Sequence, residues 1–410
     1  GVRGLTAEAY PNFGEGPKLY VSLRLQWDPS QDVDQLLDEW YALTVGPKAA
    51  PYVRKYYAHW EKFWTGAVLE SGWWSKGRQY LRFNLPTYLD AVPIGDLAQS
   101  REWLEAAVAG ADSDGQRARA QLLLQAFEYY EASVRAYPRG DTVPPLATEA
   151  DAQAWVDFLL DRAASAEKRR KLSNQTFRNH PFLHHCMSID RYDFLSGKDW
   201  AAQDIWSLYD WASRPGSVRK QLSSLMAPGN PEGLRAHVAT LFACLNGTEE
   251  TLNANHSFEK ADDGRLAGWD IWLQDSVGSL ERNEKAARKG QYGALGTGIQ
   301  YGGPHQTIDF ALGRYCLVAS LFIPVDQEKG GFIDLSLRVL DEANHNMRGG
   351  STISVTPKPG TWHTAATVMD VRKPLKGAVR IRAGVWARDF PKGKQIYIDD
   401  MRLFRLPDDE

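Results

Sequence analysis

Apolar residues along this chain follow two periods, and the change from one to the other falls near residue 250. Before it, apolar positions recur three and four apart. In Asp32–Tyr41, Val33, Leu36, Leu37, Trp40 and Tyr41 share one helix face. Asp32 or Ser30 is a natural N-cap, and Gly46-Pro47 stops the helix. Val53, Tyr56, Tyr57, Trp60 and Trp64 mark a second long face between Pro51 and Trp64. Further helices are predicted at 96–109, 113–136, 148–170, 199–212 and 231–245. From Asn255 the period is two. Val318–Ile323, Ile333–Val339, Ala378–Val385 and Ile396–Leu403 alternate between Gly- and Pro-rich turns, the pattern of an all-β sandwich.

The pattern divides the chain into four parts. Residues 1–17 read as a short strand, Val2–Ala7, running into a Gly/Pro-rich loop. Residues 18–245 read as a mainly α-helical region, 246–254 as a linker, and 255–407 as a C-terminal antiparallel β-sandwich. The predicted fold class is therefore multi-domain, α then β.

Composition narrows the function classes. At 410 residues the chain can bury more than one core. A net charge of −3 gives no electrostatic case for nucleic acid. No apolar run is long enough to span a membrane, and Gly1 is not followed by a charged-then-apolar leader. Three cysteines, Cys186, Cys244 and Cys316, cannot build a disulfide framework, and no CxxC spacing suggests zinc. The 15 Trp and 17 Tyr are many for this length. Most belong in cores, but spare exposed rings suit sugars, whose C–H-rich faces pack on aromatics.

Two resemblances carry the reading further. Tyr20, Leu25-Gln26-Trp27-Asp28-Pro29, Asp32, Leu37, Gly46-Pro47-Lys48-Ala49-Ala50, Tyr56-Tyr57 and Trp60-Glu61 resemble a bacterial, glycoside-hydrolase-like family. That family carries the domain of unknown function 4838 and is distantly similar to α-glucuronidases. The resemblance implies that residues 1–17 are the last strand and loop of a (β/α)8-type barrel, followed by a helical domain. Lys48 departs from the tightest form of the turn. The final third is similar to jelly-roll carbohydrate-binding modules of the xylan- and glucan-binding type. It has their Asn255-His256-Ser257-Phe258-Glu259 opening, Gly268-Trp269, Gly313-Arg314-Tyr315, Gly360-Thr361-Trp362 and a last-strand Asp399-Asp400.

Candidate chemistry follows. Glu8 ends a strand, and at the C-terminal end of a barrel strand it would face an active site. A glycosidase needs two flanking carboxylates, so Glu8 is a candidate catalytic residue whose partner lies on a barrel supplied upstream or by another chain. Tyr10 and Asn12 in the same loop are candidate sugar contacts. Trp272, Tyr292, Tyr301 and Trp386 are candidate stacking residues, with Trp269 and Trp362 assigned to the core. The module resemblance implies a structural Ca²⁺ on Glu259 and Asp399, with Asp400 as the fallback ligand; hard oxygens suit that ion. No organic cofactor is expected. Arg380 and Arg382 share a strand face that either meets a sulfated or uronate-bearing glycan or is merely solvated. His180 and His184 lack zinc spacing, and Gly293–Gly298 lacks the helix a dinucleotide loop needs.

The expectation is a secreted, periplasmic or cell-surface carbohydrate-active protein. It would resemble the C-terminal part of a bacterial glycoside hydrolase and carry a polysaccharide-binding module. The rivals are a non-catalytic polysaccharide-binding or scaffolding protein and a protein-binding adhesion domain.

Overall fold

A computed structural model describes residues 13–71, 74, 86–137, 144–183, 203–246, 251–263, 265–325, 331–355 and 357–407. The expected strand Val2–Ala7 and the candidates Glu8, Tyr10 and Asn12 lie outside the described residues. The chain forms two compact units, one of residues 1–137 and 161–201, the other of residues 138–160 and 202–410.

The first unit is helical. Its principal helices are α1 (Lys18–Trp27), α2 (Val33–Val45), α3 (Ala50–Thr65), α4 (Ile94–Gly110) and α5 (Asp114–Ala136). Asp32 caps α2 by accepting the N–H of Gln35 at 3.0 Å, and Gly46 ends it at φ +89°. Ser113 and Gln116 form a reciprocal capping box on α5. The core joins Trp40, Tyr41, Val53, Trp60, Phe63, Leu104 and Phe127. Two predicted core positions differ. Val33 and Trp64 sit at helix ends facing solvent, and Phe63, one residue from Trp64, takes the buried place. Trp60 instead lays its edge on Tyr130 at 5.0 Å.

In the second unit a β-sandwich carries helical cover. The long helix α6 (Glu149–Lys171) begins here, followed by a 3-10 segment Gln203–Leu208, α7 (Tyr209–Ala212), α8 (Ser217–Ser224) and α9 (Glu232–Asn246). Of the predicted helix 199–212, residues 203–212 form a 3-10 turn running into a single α-turn. The main strands are β3 (Asp270–Leu273), β4 (Ser279–Asn283), β5 (Gly293–Thr297), β6 (Tyr301–Asp309), β7 (Gly313–Phe322), β8 (Phe332–Leu340), β9 (Ser351–Val355), β10 (His363–Val371), β11 (Arg380–Arg388) and β12 (Gln395–Leu406). A short hairpin, β1 (Ala261–Asp262) with β2 (Arg265–Leu266), precedes them. Two antiparallel sheets result, ordered β10-β7-β12-β5-β4 and β3-β6-β11-β8-β9.

Alternation decides what each strand buries. Ile333, Leu335, Leu337 and Val339 of β8 and Ile381, Ala383, Val385 and Ala387 of β11 point between the sheets. There they meet Tyr315, Leu317, Ala319 and Leu321 of β7 and Ile396, Ile398 and Leu403 of β12. The opposite face of the β7-containing sheet is covered by helices. Cys244 of α9 lies against Cys316 of β7, and both are fully buried. Arg288 pairs with Asp210 of α7 and donates to Thr364 of β10 at 2.7 Å. The outer face of the β11-containing sheet holds the exposed residues Asp270, Trp272, Thr307, Thr352 and Ser354. Among the described residues no helix is long and apolar enough to cross a membrane.

Candidate functional site

The residues of β11 that do not enter the core, Arg380, Arg382, Gly384, Trp386 and Arg388, lie on the outer face of their sheet. Trp386 lies down on its own strand. A Cβ built on Gly384 would stand 2.8 Å from the indole ring, so only glycine lets the ring rest there. The indole Nε1–H donates to Ser336 on β8 at 2.7 Å. His305, opposite Gly384 on β6, stacks against the indole at 5.3 Å with planes 27° apart. Trp386 is therefore only 7% exposed although it faces away from the core.

Trp272 stands beside this flat indole. It comes from β3, is 44% exposed, and meets Trp386 at 6.1 Å with planes 70° apart. Tyr301 at the start of β6 closes the group, 5.4 Å from Trp272 and 6.2 Å from Trp386. Two indoles nearly at right angles form an aromatic corner with one wall open to solvent. Three of the four predicted stacking residues meet here.

The corner has a polar margin. Asp334, opposite Trp386 on β8, is buried and accepts from Arg388 Nη2 at 2.7 Å and from the Ser354 hydroxyl. Arg388 lies over the Tyr301 ring at 4.7 Å and near Phe332 at 5.4 Å. His305 Nδ1, Arg382 Nε and Arg388 Nε are buried atoms without a hydrogen-bond partner. Burial first, then the Arg382 charge, holds the His305 imidazole below its usual range, with Asp270 opposing. His305, Asp334 and Ser336 were not singled out in the sequence. The alternation Ile333-Asp334-Leu335-Ser336 already put the last two on the outer face, but nothing in it showed that Trp386 would reach them.

Tyr292 does not join the corner. It follows the loop Arg288–Gln291 before β5, in the other sheet, and the Arg282 guanidinium lies over its ring at 3.1 Å. Trp269 is core, packed on Phe258 with Nε1–H donating to Asn255 O at 3.0 Å. Trp362 packs on Phe322 at 5.3 Å.

Two of the three predicted calcium ligands converge on that same loop. Glu259 Oε1 accepts the N–H groups of Gln291 and Tyr292 at 2.9 and 3.2 Å. Asp399 Oδ2 accepts those of Arg288 and Lys289 at 2.7 and 3.0 Å. Gly290 stands at φ +73°, the left-handed region that favours glycine, and a Cβ there would displace the Glu259 carboxylate. Burial pushes the Asp399 carboxyl up despite these donors. Asp400 faces elsewhere, to Arg402 Nε at 2.6 Å and His256 Nδ1 at 3.4 Å. The cause is a bulge between Asp399 and Arg402, with Asp400 at φ +50°. Among the described residues no group of three or more His, Cys, Asp and Glu side chains is placed to hold a metal ion. Glu259 and Asp399 offer hard carboxylate oxygens bonded to opposite ends of one loop, and any further ligands would have to be backbone oxygens or water.

Comparison with known proteins adds the following. The domain of unknown function 4838 matches residues 1–58. No curated protein matches the chain. Several solved structures are similar over the sandwich. A TmCBM61 module in complex with β-1,4-galactotriose is 20% identical over 38% of this chain and 99% of that one, with a TM-score of 0.29. The CBM22-1 xylan-binding domain from Paenibacillus barcinonensis Xyn10C is 11% identical over 38% of this chain and 94% of that one, with a TM-score of 0.30. A cyclase from Fischerella sp. TAU is 13% identical over 39% and 98%, with a TM-score of 0.31. The functional argument therefore rests on the residues of the sheet face.

Proposed function

We propose that the sandwich is a polysaccharide-binding module and that the outer face of the β11-containing sheet is its binding surface. The observation that carries this reading is the corner of Trp272 and Trp386, one indole standing open and the other held flat by Gly384 and Ser336. Pyranose rings present apolar C–H faces edged by hydroxyls. The partly exposed Trp272 indole offers the apolar partner, and the half-buried His305 and Arg388 at the margin of the corner offer the polar ones. An aromatic ring stacked on a planar ligand contributes about 1–3 kcal/mol in the analogous nucleobase case. Affinity electrophoresis through soluble xylan, mixed-linkage glucan and galactan tests the proposal. Trp272→Ala should weaken retardation about tenfold or more while leaving the melting temperature unchanged. A protein that migrates unretarded in every gel is not a glycan-binding module.

The wider reading, a secreted carbohydrate-active protein resembling the C-terminal part of a glycoside hydrolase, rests on the family match over residues 1–58, which includes Glu8. In that reading Glu8 would work with a second carboxylate from an upstream barrel, with Tyr10 and Asn12 contacting the sugar. A calcium ion on Glu259 and Asp399 belongs to the same proposal. It would relieve a buried carboxylate that now has only N–H donors, and so tie β12 to the 288–292 loop. Calcium at a hundredfold excess over its dissociation constant would stabilise the fold by about 2.7 kcal/mol. The melting temperature should therefore rise with calcium, fall with EGTA, and respond to neither when Glu259→Gln and Asp399→Asn are combined. An unshifted wild-type melt removes the ion from the proposal.

A further inference from the structure

One feature of the binding face is unused by the aromatic corner. Arg382 and Arg338 are direct cross-strand neighbours on β11 and β8, and Thr307 lies opposite Arg382 on β6. Both arginines are half-buried, and among the described residues neither forms an ion pair or side-chain hydrogen bond. Like charges placed directly across a sheet destabilise it unless something between them compensates. The other arginines nearby are satisfied differently. Arg388 has Asp334 and two aromatic rings, and Arg380 donates to Asn344 at 3.0 Å.

The position of the pair matters as much as its charge. Gly384, beneath the Trp386 indole, is two residues before that tryptophan, and Arg382 is two residues earlier still. At a rise of about 3.3 Å per residue, Arg382 begins about 7 Å from the floor of the aromatic corner along the strand. His305 bridges the interval with its unpartnered Nδ1, and Arg382 Nε is likewise buried and unpartnered. A glycan chain leaving the corner along β11 therefore meets two adjacent guanidinium groups without a salt-bridge partner among the described residues, with Asp270 on the same face.

We infer that this face selects a uronate-bearing polysaccharide, its carboxylate received by Arg382 and Arg338 while a neighbouring sugar stacks on Trp272 and Trp386. The inference deepens the glycan-binding reading and rests on it. A carboxylate is flat, and the guanidinium fork matches it with two parallel N–H···O bonds. A sulfate ester also offers two oxygens to the fork, so the sulfated polymer in the test below decides between the two anions.

The test compares one polysaccharide in two forms. Glucuronoxylan and its carboxyl-reduced counterpart differ only in carboxylate against hydroxymethyl, and a sulfated xylan supplies the other anion. Wild-type protein should bind glucuronoxylan about tenfold more tightly than the reduced form at low salt, and that preference should shrink as ionic strength rises. Arg382→Ala combined with Arg338→Ala should erase the preference while keeping binding to the reduced polymer. Arg382→Lys should restore only part of it. Trp272→Ala should weaken binding to both forms alike. Equal wild-type binding to both forms overturns the uronate assignment and leaves the glycan reading standing. Tighter binding of the sulfated polymer overturns the carboxylate in favour of any strong anion. Binding to none of the three overturns both readings together.

Discussion

Single residues on this sandwich are placed by their neighbours more than by their own chemistry, and adjacent Asp399 and Asp400 show it. Both are buried, yet their acidities move in opposite directions. Burial raises Asp399, whose partners are neutral N–H groups. Burial opposes Asp400 as well, but His256 and Arg402 hold its carboxyl down to about 2. A carboxyl whose acidity is strengthened by folding adds stability above its ordinary value of 3.8, and loses it as pH falls toward 2. The contribution is about 2 kcal/mol at neutral pH. Asp400→Asn should therefore lower the melting temperature at pH 7, with mutant and wild type converging as the pH approaches 2. Identical melts at pH 7 would mean that the Arg402 pairing contributes nothing.

At the scale of elements, the binding face depends on one empty side chain in β11. The strand alternates regularly, so Arg382, Gly384 and Trp386 share a face whatever lies around them. Gly384 turns this shared face into a floor, because its missing Cβ gives the indole room to lie flat and reach Ser336. Gly384→Ala should lift the indole, break its bond to Ser336 and weaken glycan binding. The core behind the strand, built by Ile381, Ala383, Val385 and Ala387, would be unchanged. Tryptophan fluorescence should report a more solvated indole with a melting temperature close to wild type. An alanine variant that binds as tightly as wild type would show that the flat ring is not the floor of the site. The alternation was legible from the sequence. The contact between Gly384 and Trp386 was not, because a glycine at an outward position reads equally well as a bulge or a weak point.

At the scale of the molecule, the two sheets of the sandwich have unlike surroundings. Helical residues 203–246 group with the strands and cover the β7-containing sheet. Burial pushes the Cys316 thiol far up, and Cys244 of α9 shares its buried contact. Neither thiol should react with an alkylating reagent at pH 8 until the second unit unfolds. Peptide mapping after brief labelling checks this, and rapid modification of Cys316 would mean that α9 does not cover β7. That coverage leaves the β11-containing sheet to present its outer face, which is where the aromatic corner stands.

The sequence by itself determined the periods of the chain, and with them most helices of the first part and the alternating strands of the last. Periodicity is a local property, set by backbone geometry and the burial of apolar side chains, and so it survives without a partner in view. Tyr292 and Tyr301 looked alike as single aromatics near glycines, yet the register of two different sheets put one under Arg282 and the other beside Trp272. Asp400 was separated from Glu259 and Asp399 by a bulge that no alternation announces. Which outward residues meet depends on strand order, cross-strand register and bulges joining segments far apart in the chain, and only the tertiary structure decides these.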